Sequence, residues 1–428
     1  AAAITTGDRS AIDRDVLEAL RASNLAHLLA ISGLHMGLLT GFVFVTLQVG
    51  LAAVPGWAVR YPIRKVAAVG ALGAGAVYLA LSGGNVATER AFIMVAVMFV
   101  AILVGRRAVT LRSVAVAALV VLTLRPEALM GPGFQMSFAA TTALVAVYGA
   151  LRGRDWSPTR WPIWARFIGG VALSSLVAGL ATAPIAAAHF NQVPHFGLVA
   201  NVLSVPLMGA VIIPAAVLAA VLSPFGLAWV GLRLMEWPIL WILGVAESVA
   251  AWPGSVSQVV APQSAVLPIL ALGGVWMAVV RGQGRLLGVI AVVGALGLWS
   301  VAERPLALIS QSGGLVGVLG DEGRALSKPR GDGFSALSWL ENDGDGADQA
   351  MAYARAGIVE MDGVRRIAVD GLDLWHATGK RAAADAERLC RPGDVLVVNV
   401  VSKEVAEGCQ LFDRSRLDGT GSLAIERG

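Results

Sequence analysis

Two histidines stand inside an otherwise apolar run, His27-Leu-Leu-Ala-Ile-Ser32-Gly33-Leu-His35-Met36. Ionisable groups at membrane depth are costly and face a cavity or another helix. His27 and His35 are about two helical turns apart, so one side of a helix could carry both. Gly33 admits a close backbone or a helix break. Two chemistries fit. One is a polar lining for a path, with a break at the bilayer midplane. The other is a pair of histidines hydrogen-bonded between helices as packing groups. A zinc site would need a third and fourth ligand. The other histidines before residue 304 are His189 and His195, in a different loop. A Ser32 nucleophile with His35 as base is a further reading, but Ser and His three apart on one helix make no triad by themselves.

Three more places carry polar or helix-breaking residues in apolar surroundings. In Thr88-Glu89-Arg90-Ala91 the two charges could pair, Arg90 could reach into a cavity, or both could anchor at the membrane interface. Gly131-Pro132-Gly133-Phe134-Gln135-Met136-Ser137-Phe138 sets two glycines around a proline, which breaks a helix. Backbone freed at membrane depth must be buried in protein or line water. A broken or re-entrant element is expected there; the other reading is a loop followed by a helix start. Residues 181–214 hold Pro184, Pro194, Pro206 and Pro214 with His189, Asn191, Gln192, His195 and Asn201. Discontinuous helices around a polar path would explain them, as would kinked but closed helices. No G-x-x-x-x-G-K-[ST] occurs, so the chain carries no P-loop motor of its own.

The elements that must position these groups are membrane spans. Of 428 residues, 56% are apolar and 14% charged, with a mean hydropathy of +0.71. Soluble proteins carry about 25% charge, so disorder is excluded as a class and the composition argues against an ordinary cytosolic enzyme. Apolar runs of spanning length lie near 25–54, 66–83, 91–104, 109–124, 133–151, 167–189, 197–222, 226–252, 265–280 and 286–303. The first is long enough to hold a break. The eighth contains Arg233, Glu236 and Glu247, which would suit an interfacial position. Before them, residues 10–24 space Ile12, Val16, Leu17 and Leu20 as an amphipathic helix. The chain opens AAAITTGDRS, without Met or a signal-peptide pattern, so an internal cut with upstream domains missing is expected.

Loop charge sets the orientation. Arg60, Arg64 and Lys65 follow the first span, Arg106, Arg107 and Arg112 the third, Arg152, Arg154, Arg160 and Arg166 the fifth, and Arg281 and Arg285 the ninth. The alternate loops are poor in Lys and Arg. Basic loops stay cytoplasmic, which puts both chain ends outside. Tryptophans near span ends (Trp57, Trp156, Trp161, Trp164, Trp252) suit an interfacial belt.

Residues 304–428 differ in kind. They hold 15 basic and 19 acidic residues, against 18 and 10 in 1–303. Strands are expected at 306–309, 314–319, 357–360, 366–370 and 394–401, and helices at 335–341, 347–355 and 380–389, a small soluble α/β layered domain. Segment 341–350 (ENDGDGADQA) fails the spacing of a calcium loop and reads as an acidic turn. Cys390 and Cys409 are the two cysteines. They would bridge if the domain lies in an oxidising compartment, or stay as two buried thiols. The domain's single histidine, His376, cannot build a multi-histidine zinc centre.

His27–Met36 (HLLAISGLHM), ERA at 89–91, GFQMSF at 133–138 and the ATAP…NQVPHFGLVANVLSVPL stretch at 181–207 together resemble the ComEC competence family over about 8–303. That resemblance implies an inner-membrane channel admitting single-stranded DNA to the cytoplasm during natural transformation. The channel or motif residues it marks are His27, Ser32, Gly33, His35, Glu89, Arg90, Phe134, Gln135, Ser137, His189, Asn191, Pro194, His195, Asn201 and Pro206. It implies an outside DNA receptor and a cytoplasmic ATP-driven translocase or recombination proteins as partners, with self-association left open. The family also carries an OB-like domain, which has no counterpart in this sequence, and a metallo-β-lactamase-like domain.

The expected architecture is therefore a polytopic α-helical membrane protein of about ten spans, some broken or re-entrant. It comprises an extracytoplasmic lead-in (1–24), a transmembrane channel domain (25–303) and an extracytoplasmic soluble domain (304–428). The last resembles a degenerate metallo-β-lactamase-like domain, with CRPGDVLVV at 390–398 matching a late strand. The H-x-H-x-D-H zinc motif is absent, so no cofactor, metal or nuclease activity is expected. The alternatives are a secondary transporter for a small anionic solute or an intramembrane hydrolase using Ser32 and His35.

Overall fold

The computed structural model describes residues 2–8, 10, 12–29, 31–152, 162–361, 363–402 and 408–426. Arg154, Trp156, Arg160 and Trp161 lie outside the described residues. The chain folds into two compact units. The first comprises residues 1–186, 193–257 and 267–294, and the second 187–192, 258–266 and 295–428.

Among the described residues, eight helices are long and apolar enough to cross a membrane: Gly33–Ala53, Ile63–Leu81, Val86–Leu103, Pro132–Arg152, Ile163–Phe190, Gly197–Phe225, Ala228–Ala250 and Gly282–Ser300. Two shorter apolar helices, Leu111–Leu124 and Val266–Val279, fall on the remaining expected runs. The starts are chemically marked. Asn85 and Thr110 accept the backbone N–H of Thr88 and Ser113 at 3.0 and 3.1 Å, satisfying donors the first turn leaves open.

In lipid, small residues let helices approach closely. Ala67, Ala68, Ala71 and Gly75 are buried on helix Ile63–Leu81. A Cβ on Gly75 would lie 3.0 Å from Thr40 of helix Gly33–Ala53. One cluster joins Ile31 and Met36 to Ala68, Ala71, Tyr78, Ala91, Val95 and Phe99. A second joins Ile4, Leu20, Leu25 and Leu28 to Ala200, Met208, Ile212, Met235 and Ile242. The amphipathic lead-in is therefore no separate body. Helix Arg14–Ala22 buries Leu20 in the same core as the spans, and Tyr78 donates its hydroxyl to Ile4 O at 2.7 Å.

Of three expected breaks, the first is present and the other two take a different form. The first run is interrupted at its start: residues 26–28 make one 3₁₀ turn, Ser32 is extended, and the helix begins at Gly33. At Gly131–Gly133 the expected broken element is a helix start. Pro132 opens helix Pro132–Arg152, where a missing N–H costs nothing because that donor has no intrahelical partner. At 181–214 the helices run through their prolines. Pro184 lies inside Ile163–Phe190 and Pro206 inside Gly197–Leu207, which continues through a π-helical turn, Met208–Ile212, into Ile213–Leu222. A wider turn re-spaces the backbone bonds a proline removes, and such turns recur at functional sites.

The second unit is layered. Strands Leu423–Ile425, Ala307–Ile309, Val316–Gly320 and Gly323–Leu326 form an antiparallel sheet in that order. Strands Gln410–Phe412, Val395–Val398, Leu372–Ala377, Val364–Val369 and Val359–Met361 form a mixed sheet. Ile309, Val316, Val318 and Ala325 of the first meet Ile367, Val369, Leu374, Val395 and Val397 of the second in one core. The outer face of the first sheet packs Leu315 and Leu326 on Ala336, Trp339, Leu340 and Ala352 of two helices. That of the second packs Trp375, Leu396 and Val398 on Ala383 of helix Lys380–Leu389. The order is helix, sheet, sheet, helix. Cys390 and Cys409 are joined by a disulfide, with Cα atoms 6.0 Å apart.

Ends of three apolar helices belong to this unit and are tied into it. Asn191 Nδ2 donates to Val259 O (3.1 Å), Trp299 Nε1 to Val260 O (2.8 Å) and Ala261 N to Asn342 O (2.8 Å). Strands 323–326, 372–377, 410–412 and 423–425 and helix Arg414–Thr420 were not expected from the sequence. The first two carry Arg324, Asp373 and His376 within their runs.

Candidate functional site in the membrane unit

The start of helix Gly33–Ala53 sets a fully buried histidine. His35 is fully buried in its first turn, and its Nδ1 lies 3.0 Å from the Ser32 hydroxyl. Its Nε2 is buried without a hydrogen-bond partner. On helix Gly197–Leu207, Asn201 Oδ1 and Ser204 Oγ are buried and equally unpartnered. Three apart, they share one helix face. Leu34 and Leu38, flanking His35, pack on the cluster that holds Ala200 and Met208. A Cβ on Gly209 would lie 3.4 Å from Leu38. Each orphaned polar atom costs about 1–3 kcal/mol, so these two helices keep three costly groups that water or a passing polar ligand would satisfy.

His27 does not join them. Its Nδ1–H donates to Asn24 O at 2.9 Å, within the 3₁₀ turn. The shared helix side expected for His27 and His35 fails because residues 27–35 are not one helix. Asn24 instead covers Gly197, where a Cβ would sit 2.7 Å from its side chain. Asn24 and Ser204 are residues the sequence reading missed. The spacing of Asn201 and Ser204 in ANVLSVP was the available signal for the second.

A second polar group forms where Val86–Leu103 meets Pro132–Arg152. Glu89 pairs with Arg125 at 3.2 Å rather than with Arg90. Arg90 lies over Gly133, its guanidinium 3.1–3.5 Å from where a Cβ would be. Glu89, Arg90, Val121 and Arg125 line a cleft of about 10 Å³, room for about one water. Single-stranded DNA does not fit there in this conformation. Phe134 and Phe138 pack with Val114, Ala117 and Val121, and Gln135 Nε2 donates to Leu129 O at 3.0 Å. Ser137 is half-buried in the same helix, its carbonyl accepting from Thr141.

The remaining motif residues lie elsewhere. His195 is exposed, with Nε2 2.7 Å from the Ser257 hydroxyl and its N–H on Ser255 O. Pro194 ends the short strand Gln192–Pro194. His189 and Asn191 fall in the second unit, where Asn191 adopts φ +52° and binds Val259. Among the described residues, no group of three His, Cys, Asp or Glu is placed to hold a metal ion.

A model of the competence protein family matches residues 4–284, which contain both polar groups. The chain belongs to the competence protein family. It is 29% identical over 253 residues to ComE operon protein 3 of Bacillus subtilis (strain 168), covering 57% of this chain and 30% of that protein. It is 31% identical over 275 residues to competence protein ComA of Neisseria gonorrhoeae, covering 63% of this chain and 36% of that one. The chain thus spans about a third of the length of these curated relatives. No solved structure matches it. With its apolar helices and family together, this competence family member is a multi-pass membrane protein with a small soluble domain.

Proposed function

We propose that the membrane unit is the channel through which single-stranded DNA crosses the bacterial inner membrane during natural transformation. The observation that carries this reading is the buried, unsatisfied set His35, Asn201 and Ser204, held on two helices inside the matched region. The compact state is a closed one, and helix displacement at the π turn would open it. Both chain ends lie outside the cytoplasm, a reading supported by the basic loops 60–65, 106–112 and 281–285. The soluble domain is a reduced metallo-β-lactamase-like domain, a reading supported by its helix–sheet–sheet–helix order. It hydrolyses nothing, and the channel relies on an outside DNA receptor and a cytoplasmic ATP-driven translocase or recombination proteins.

Uptake of labelled DNA, measured in strains with and without the gene, tests the channel. Loss on deletion and restoration by the wild type is expected. Restoration by Ser32→Ala is expected too, because a conduit tolerates that change and a serine nucleophile does not. Undiminished uptake in the deletion strain would contradict the proposal.

A further inference from the structure

One end of the second unit's two-sheet core is polar and positively charged. Strands Val364–Val369 and Leu372–Ala377 set Arg365 directly opposite His376. Opposed residues of an antiparallel pair project to one face, with Cβ atoms about 5 Å apart. Here that face is the one Ile367 and Leu374 bury between the sheets. His376 is fully buried, and its Nε2 lies 3.1 Å from Gly313 O. A carbonyl only accepts, so Nε2 carries the proton and Nδ1 holds a lone pair. That Nδ1 has no partner, and neither has the buried Arg365 Nε. The guanidinium's Nη2 pairs with the half-exposed Glu360 at 3.4 Å.

Lys328, two residues past strand Gly323–Leu326, adds a third basic group. Burial and then Arg365 press its ammonium below the ordinary value, while Asp332 opposes them. Asp332 already accepts from the Ser312 hydroxyl at 2.8 Å. His376 is held at about 3 by burial first, then by repulsion from Arg365 and Lys328, against its bond to Gly313. So the ring is neutral at pH 7, beside two cations. The loop that closes over it must be glycine: a Cβ on Gly313, at φ +64°, would lie 2.6 Å from Val398 O, and one on Gly314 2.4 Å from Asp332 Oδ2.

Water could satisfy either orphaned nitrogen, but it would leave the repulsion among the basic groups in place. A metal cation would add to that repulsion. An oxyanion answers both: Arg365 Nε–H and Lys328 Nζ donate to it, and His376 Nδ1 either accepts from a protonated oxygen or takes up a proton and donates.

We propose that Lys328, Arg365 and His376 form a binding site for a phosphate-type oxyanion. This goes beyond the channel reading and stands without it. The phosphate could be a diester in a DNA backbone or a free phosphate, and the chemistry of the site is shared by both.

The test uses the full chain in nanodiscs in phosphate-free buffer. The probes are inorganic phosphate and, separately, a short oligothymidylate without terminal phosphate. The readouts are the unfolding midpoint of the soluble domain and the imidazole NMR signal of His376 across pH. At least one probe is expected to raise the midpoint and to move the His376 titration upward, with binding tightening as pH falls. Lys328→Gln and Arg365→Gln are each expected to weaken it about tenfold, roughly one lost charged contact. Lys328 is half-buried and outside the strands, so its variant keeps the fold if Arg365→Gln does not. A response to the oligomer assigns the site to nucleic-acid backbone, and one to phosphate alone assigns it to free phosphate. No response to either probe, or a response unchanged in Lys328→Gln, would overturn the proposal.

Discussion

An Asp343→Ala chain is expected to lose a large share of the stability of its soluble domain. Arg324 is fully buried in strand Gly323–Leu326, and Asp343 grips it with both carboxylate oxygens, at 2.6 Å to Nε and 3.1 Å to Nη2. Gly317 O and Pro305 O take further guanidinium N–H groups, at 3.3 and 3.0 Å. Removing the carboxylate strands a cation that cannot reach water. Breaking a buried pair in this way costs about 3–5 kcal/mol, against about 5–15 kcal/mol of stability in a whole domain. The midpoint of thermal unfolding, followed by near-ultraviolet dichroism of the full chain, should fall by about 10 °C or more. Asp345→Ala should cost much less, because the Asp345–Arg355 pair is partly exposed and its loss can be hydrated. Equal, small shifts in the two variants would sink the argument.

Gly231→Val is expected to cost the membrane unit its packing. A Cβ at Gly231 would lie 2.4 Å from Ala215 O and 2.6 Å from Ala219 N, on the facing helix Ile213–Leu222. Those atoms are backbone and cannot turn aside, so helix Ala228–Ala250 must move away. Helices in lipid associate through such close packing. The displaced partner continues directly from the π turn at Met208–Ile212 and the helix bearing Asn201 and Ser204. Overpacking costs about 1–3 kcal/mol, which lowers the ratio of competently packed to displaced chains about fivefold to 160-fold. Transformation frequency, normalised to membrane protein level by immunoblot, should fall severalfold, and by no more than that factor. Gly244→Val on the same helix meets open space and should change little. Equal effects from the two would refute the packing account.

The spans were legible because membrane helices declare themselves by composition: of ten apolar runs, eight became helices long enough to cross a membrane and two became shorter apolar helices, with the first beginning eight residues later than expected. Their prolines were not legible. Whether Pro132 or Pro206 interrupts a helix depends on its place within the turn and on the bonds around it. Strands 395–398 and 316–320 read clearly as apolar runs, whereas 323–326 and 372–377 hide Arg324 and His376. The partner that makes Arg324 tolerable stands nineteen residues on, and no local pattern announces it. At the site, His35 was conspicuous as an ionisable residue in an apolar run. Ser204 was not, because a single serine in a span is ordinary until its neighbours are known. The approach of Arg90 to Gly133 joins two motifs that sequence order keeps apart.

The central claim is that His35, Asn201 and Ser204 line a passage that becomes wet when DNA moves. Placing cysteine singly at these positions, with the native pair held in the Cys390–Cys409 disulfide, allows a water-soluble thiol reagent to report on it. In cells taking up DNA, all three should react, DNA in transit should slow the reaction, and modification should block further uptake. If none reacts while uptake continues undiminished, these groups are sealed between helices and the conduit runs elsewhere.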